Sequence, residues 1–141
     1  MGTWGIRTFE NDDAADWIAD FAETPERSRL ARALEPVEQA RGEAGTEAGV
    51  DACRIALAAA EVVAAWCGRA APELPPQVTA WLLGRADAVT GRILERTRAV
   101  VDAVLEGSPL AREWEGTDER EAWHGAVEDL RRRLGFDGSL A

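Results

Sequence analysis

Between Val50 and Cys67 the chain carries apolar residues at almost every angle of a helical projection. Val50, Cys53, Ile55, Leu57, Val62, Val63, Trp66 and Cys67 cover most of the circumference at 3.6 residues per turn. A helix that is apolar nearly all round has to be enclosed by others. This segment, a helix from about Glu47 to Trp66, is therefore the middle of a bundle. Its longest apolar run, Ile55 to Cys67, is broken by Glu61 and is too short to span a bilayer. One narrow polar stripe remains, holding Asp51, Arg54, Glu61 and Arg69, with Ala58 and Ala65 between. The stripe places Glu61 on a thin solvated seam beside Arg54. The alternative is burial beneath the N-terminal segment, with the carboxylate accepting from backbone N–H groups or the Trp4 indole. A carboxylate buried without a cation would have a raised pKa and become a candidate general acid or base.

The other segments supply helices to surround it. Asn11 is a good N-cap, followed by Asp12 and Asp13 where the helix dipole favours negative charge. Thr24-Pro25 reads as the stop of that first helix and the start of a second, which Pro36 should end or bend. Residues 42 to 49 read as a loop, and residues 68 to 76 as a Pro-rich connection. A short helix over Pro76 to Leu83 precedes a longer one over about Ala86 to Glu106, whose apolar residues recur at three- and four-residue spacing. Ser108-Pro109 opens another short helix, and Thr117 is placed to cap the last. That last helix buries Trp123, Val127, Leu130 and Leu134, and Gly135-Phe136 has the form of a left-handed helix end. Arg131, Arg132 and Arg133 occupy its final turn, where the dipole favours cations. The expected fold is all-α: one domain over 1–141, with an extended N-terminal arm (1–10), a compact bundle of about six to seven helices (11–135) and a short tail (136–141).

Asn11 is the only Asn in a chain that has no Lys and no Tyr. Ser, Thr or Asp would cap as well, so an Asn here suggests that its amide also donates, to a carbonyl of the arm. On the first helix Asp12, Asp13, Asp16, Asp20 and Glu23 fall within an arc of roughly 100°, opposite Ala14, Trp17, Ile18 and Phe21. Five carboxylates on one arc form either a solvated face or a site for a divalent cation, which wants clustered oxygens. With no glycine-shaped ligand loop and no second carboxylate helix, the solvated face is the favoured reading, and no metal or cofactor is assigned. Trp4 and Phe9, ahead of the cap, should pack onto the bundle.

Three stretches look familiar. Met1-Gly2-x-Trp4-Gly5 with Phe9-Glu10-Asn11-Asp12-Asp13-Ala14 and Asp16-Trp17, then Ala58 to Ala65, then Ser108 to Trp114 with Trp123 to Leu134, resemble a small bacterial family, domain of unknown function 4259. Arg7 departs from its pattern, where a second small residue is expected after Trp-Gly. The resemblance covers nearly the whole chain and implies a compact helical domain with no established activity.

Composition narrows the function classes. A net charge of −10 opposes binding to nucleic acid and to anionic membranes, both of which need cationic neutralisation. With no apolar run behind a basic segment, the chain reads as cytoplasmic. Cys53 and Cys67 sit on one helix, about 21 Å apart by helical rise, and cannot bridge each other. One His, at position 124, leaves no multi-His metal site within the chain and little room for a Ser-His-Asp arrangement. Neither a Walker pattern nor Gly-x-Gly-x-x-Gly is present. Glu35-Pro36-Val37-Glu38 has the Glu-x-x-Glu spacing of some all-helical nucleotide pyrophosphohydrolases, but without the matching later Glu-x-x-Asp. Two readings remain. The first is a small, acidic, non-enzymatic binding or adaptor module for a protein partner with a basic surface, immunity-like in form, acting as a monomer or homodimer. The second is a carboxylate-based metal-dependent enzyme. The candidate binding residues are Trp4, Asn11, Asp12, Asp13, Asp16, Trp17 and Glu61.

Overall fold

The computed structural model describes residues 5–43, 47–83 and 89–135. Seven helices follow one another: α1 (Asp12–Glu23), α2 (Arg27–Gly42), α3 (Val50–Trp66), α4 (Pro76–Leu83), α5 (Gly91–Gly107), α6 (Pro109–Trp114) and α7 (Arg120–Arg133). α3 is the hub and packs against each of the other six. Residues 56–64 of α3 are all buried, Glu61 among them. The alanines at 56, 58, 59, 60 and 64 are small enough to let six neighbours approach one axis, and Leu57, Val62 and Val63 fill the gaps between them. An all-round apolar helix thus becomes the enclosed rod that its pattern requires.

α3 ends where Gly68 adopts φ +86°. Gly68 N–H donates to Ala65 O at 2.9 Å and Arg69 N–H to Ala64 O at 2.9 Å, the paired bonds of a Schellman end. At the end of α7, Gly135 likewise has positive φ. Its expected contact through Phe136 lies outside the described residues.

Several boundaries differ from the sequence reading, each for a physical reason. Thr24 does not cap α2. It closes α1 through its N–H to Phe21 O, and α2 begins at Arg27 after Glu26, which makes no side-chain cap. Arg29 completes that corner by donating to Asp20 O, Thr24 O and the Asp20 carboxylate. Pro36 does not end α2, which continues to Gly42. Leu34 and Val37 are anchored in the core on either side of it, and Arg96 of α5 grips Glu38 with two 2.7 Å bonds. α3 starts at Val50 rather than near Glu47. α5 starts at Gly91 rather than near Ala86, because Thr90 is the cap, accepting from Ile93 N–H at 3.2 Å. Thr117 does not cap α7; its hydroxyl donates to Trp114 O, and α7 begins after Glu119. Ser108 caps α6 as read, accepting from Ala111 N–H while donating to Val104 O. No helix among the described residues is long and apolar enough to cross a membrane.

Candidate functional site

Asn11 does both jobs suggested by its being an Asn. Its Oδ1 accepts from Ala14 N–H at 2.8 Å and its Nδ2 donates to Thr8 O at 3.0 Å. The first bond satisfies an orphan donor at the start of α1. The second ties the cap to the arm, and Asn11 is buried in consequence. The arm segment from Gly5 carries a turn closed by Glu10 N–H to Arg7 O, with the Glu10 carboxylate accepting from Arg7 N–H. Ile6 and Phe9 lie against the core. Trp4 lies outside the described residues.

That turn delivers Thr8 to Glu61. Glu61 is 3% exposed, so the solvated seam beside Arg54 is not what forms. The carboxylate is buried beneath the arm and is paired. Thr8 Oγ1 donates to Oε2 at 2.7 Å, and Arg133 donates to Oε1 at 2.8 Å and to Oε2 at 3.3 Å. Arg133 also donates to Arg69 O and to the Asp129 carboxylate. Burial works against the guanidinium's charge. The hydrogen bond and charge of Glu61, reinforced by Asp129, overcome that and hold the Arg133 pKa above the usual arginine value. Among the described residues the donors to Glu61 are therefore a hydroxyl and a guanidinium rather than backbone N–H groups. One buried carboxylate on α3 joins the arm to the last turn of α7. With both oxygens engaged, it is placed as a structural anchor rather than a free base.

Sequence reasoning missed Thr8 and Arg133. The only signal for Arg133 was weak: it flanks Leu130 and Leu134 on the buried stripe of α7, but so does Arg131, which pairs with Asp102 instead. Arg54, the expected neighbour of Glu61, turns the other way. It donates to Asp13 on α1 at 3.2 Å and to Glu113 on α6 at 3.2 Å. The remaining candidates divide. Asp12 and Asp16 are exposed, while Asp13 is half-buried under Arg54. Trp17 is half-buried and stacks on Phe21, centroids 5.0 Å apart, with Trp81 edge-on to Phe21. Glu61 and the carboxylates of α1 do not converge. Among the described residues no three His, Cys, Asp or Glu side chains are grouped as metal ligands. A cleft of about 410 Å³ lies beside the anchor, lined by Thr8, Glu61, Asp129 and Arg133 with Arg7 and Glu73 at its rim. Its cations are already engaged, Arg7 with Glu73 at 2.8 Å and Arg133 with Glu61 and Asp129.

Arg54 brings two acidic segments to one side of the molecule. One is the arc of α1. The other runs from Glu113 through Glu115, Asp118 and Glu119 to Glu121, all exposed, at the corner between α6 and α7.

The fold and this arrangement define a class: an acidic all-α domain built round one enclosed helix, with a buried carboxylate joining the turn at Thr8 and the last turn of α7 to it. Within that class, the model of the family described as domain of unknown function (DUF4259) matches residues 2–126, and the chain belongs to that family. Thr8, Asn11 and Glu61 fall inside the matched span; Asp129 and Arg133 follow it. No curated protein and no solved structure matches the chain.

Proposed function

We propose that this protein is a small acidic binding module that engages the basic surface of a protein partner in the cytoplasm, in the manner of an immunity protein or adaptor. The observation that supports this reading is the joining of two acidic segments through Arg54. Asp12 and Asp16 project from α1, and five further carboxylates project from the α6–α7 corner, on a chain whose net charge is −10. Exposed Arg120 is the one cation within the 113–121 segment, so the charge there is predominantly negative, and clustered charge of one dominant sign accelerates encounter with an oppositely charged partner and rejects others. The two free cysteines suit a reducing compartment.

The test is capture from the native host with the wild-type chain and with a charge-reversed variant, Asp12→Arg/Asp16→Arg/Glu115→Arg. All three positions are exposed, so circular dichroism should be nearly unchanged and melting should fall by only a few degrees, the cost of a cation in the first turn of α1. The expected result is a basic partner retained by the wild type and lost by the variant. Equal retention by both would reject the acidic surface as the interface. Calorimetry with Mn²⁺ addresses the metal-enzyme reading: saturable binding abolished by Asp16→Ala would overturn the adaptor reading.

A further inference from the structure

A second cleft of about 410 Å³ lies on a different face, where α1, α2 and α3 meet. Its volume is within the range of small-molecule sites, roughly 300–1,000 Å³. It differs from the cleft beside Glu61 in the state of its charges. Arg32, on its α2 wall, and Asp51, on its α3 wall, are both exposed, and neither has an ion-pair partner among the described residues. They do not pair with each other across the cleft either. Arg29, at the same mouth, is already committed to Asp20 and Thr24. The lining also includes apolar groups, Trp17 from α1 and Ile55 from α3.

Pro36 adds a second feature. It sits inside α2 and lines this cleft. Proline has no N–H, so the carbonyl four residues earlier, that of Arg32, loses its helical donor. The α2 wall offers a guanidinium with no ion-pair partner among the described residues, on a residue whose carbonyl lacks its i+4 donor. The α3 wall offers a carboxylate.

From this we infer that the cleft is a binding site for a free apolar α-amino acid. A zwitterion is the ligand class that presents an anion to Arg32 and a cation to Asp51 while placing an apolar side chain against Trp17 and Ile55. Its zero net charge also escapes the repulsion that a protein of charge −10 exerts on simple anions. This site is independent of the acidic surface described above.

The experiment is a titration of the labelled full chain, read by proton–nitrogen correlation spectra at the Trp17 indole. The probes are L-phenylalanine, hydrocinnamate, which lacks the ammonium group, and phenethylamine, which lacks the carboxylate. The expected result is saturation by L-phenylalanine with a dissociation constant on the order of 0.1–1 mM, and at least tenfold weaker binding of each analogue, the equivalent of about 1.4 kcal/mol per charge contact. Arg32→Ala and Asp51→Asn should each weaken L-phenylalanine by a similar factor while leaving the rest of the spectrum in place. Four results would overturn the inference. They are no saturation below about 10 mM, where the ligand would be too weak to be specific; equal binding of all three probes; variants that bind as the wild type does; and Trp17 shifts that follow protein concentration without any ligand, which would make this face a contact between copies of the chain.

Discussion

Removing Arg133 tests the role given to Glu61 more sharply than removing Glu61 itself. In Arg133→Met the carboxylate stays where it is, 3% exposed, with only the Thr8 hydroxyl as donor. Breaking a buried ion pair from one side costs about 3–5 kcal/mol, because the surviving charge is left uncompensated. Arg133 is itself 20% exposed, so water can partly replace it, and the lower end, about 3 kcal/mol, is the appropriate figure. For 141 residues the unfolding entropy is about 0.3 kcal/mol/K, at roughly 2.1 cal/mol/K per residue, so the melting temperature should fall by about 10 °C. Glu61→Met/Arg133→Met should recover much of that loss, since no charge then remains buried. Thermal unfolding followed by circular dichroism, checked for two-state behaviour against urea unfolding, reads the wild type, Arg133→Met, Glu61→Met and the double variant. A loss below about 1 kcal/mol for Arg133→Met, or a double variant whose loss equals the sum of the singles, would refute the buried-anchor reasoning.

Further predictions follow from single contacts. Asn11→Asp keeps the cap acceptor but sets a carboxylate oxygen against Thr8 O, and should lower stability by about 1–2 kcal/mol in urea unfolding. Gly68→Ala meets no neighbouring atom, so its cost is conformational alone, about 1–2 kcal/mol for a left-handed position; an unchanged melting temperature would contradict the Schellman end. Pro36→Ala returns an N–H to the Arg32 carbonyl and should raise stability by about 2 kcal/mol, the roughly 3 kcal/mol cost of a helix-interior proline less about 1 kcal/mol of unfolded-state entropy, read as a rise of about 7 °C in melting temperature. Burial raises the thiol pKa of both Cys53 and Cys67, so both stay protonated at neutral pH. Iodoacetamide should label the native protein slowly, Cys67 ahead of the more deeply buried Cys53.

The pattern of α3 made its burial legible from the residues alone, because a helix without a polar face has only one kind of place to go. Asn11 was legible for a similar reason: a lone amide where three simpler caps would serve implies a donor in use. Local chemistry failed where two identical signals had different outcomes. Ser108-Pro109 and Thr24-Pro25 carry the same cap-plus-proline code, yet only the first opens a helix at the proline. Ser108 is buried, with its hydroxyl bonded to both Val104 and Ala111, whereas Thr24 is exposed and its carbonyl is taken by Arg29. Pro36 does not end α2 because its local cost is set against core anchoring of Leu34 and Val37 and the Arg96–Glu38 pair, which depend on the rest of the fold. Glu61 was placed on the seam because Arg54 shares its stripe. Its true partner is 72 residues away, and periodicity within one helix carries no information about that. Nor could the joining of α1 to the α6–α7 corner be read, since it depends on Arg54 reaching both Asp13 and Glu113.

The claim that joins these observations is that one acidic surface, gathered across α1 and the α6–α7 corner, binds a basic partner. Its most direct measurement is the salt dependence of the partner's association rate with the wild type and with the Asp12→Arg/Asp16→Arg/Glu115→Arg variant. The wild-type rate should fall steeply as salt rises, and the variant rate should be slow and nearly flat. Rates that respond to salt alike in both proteins would contradict it.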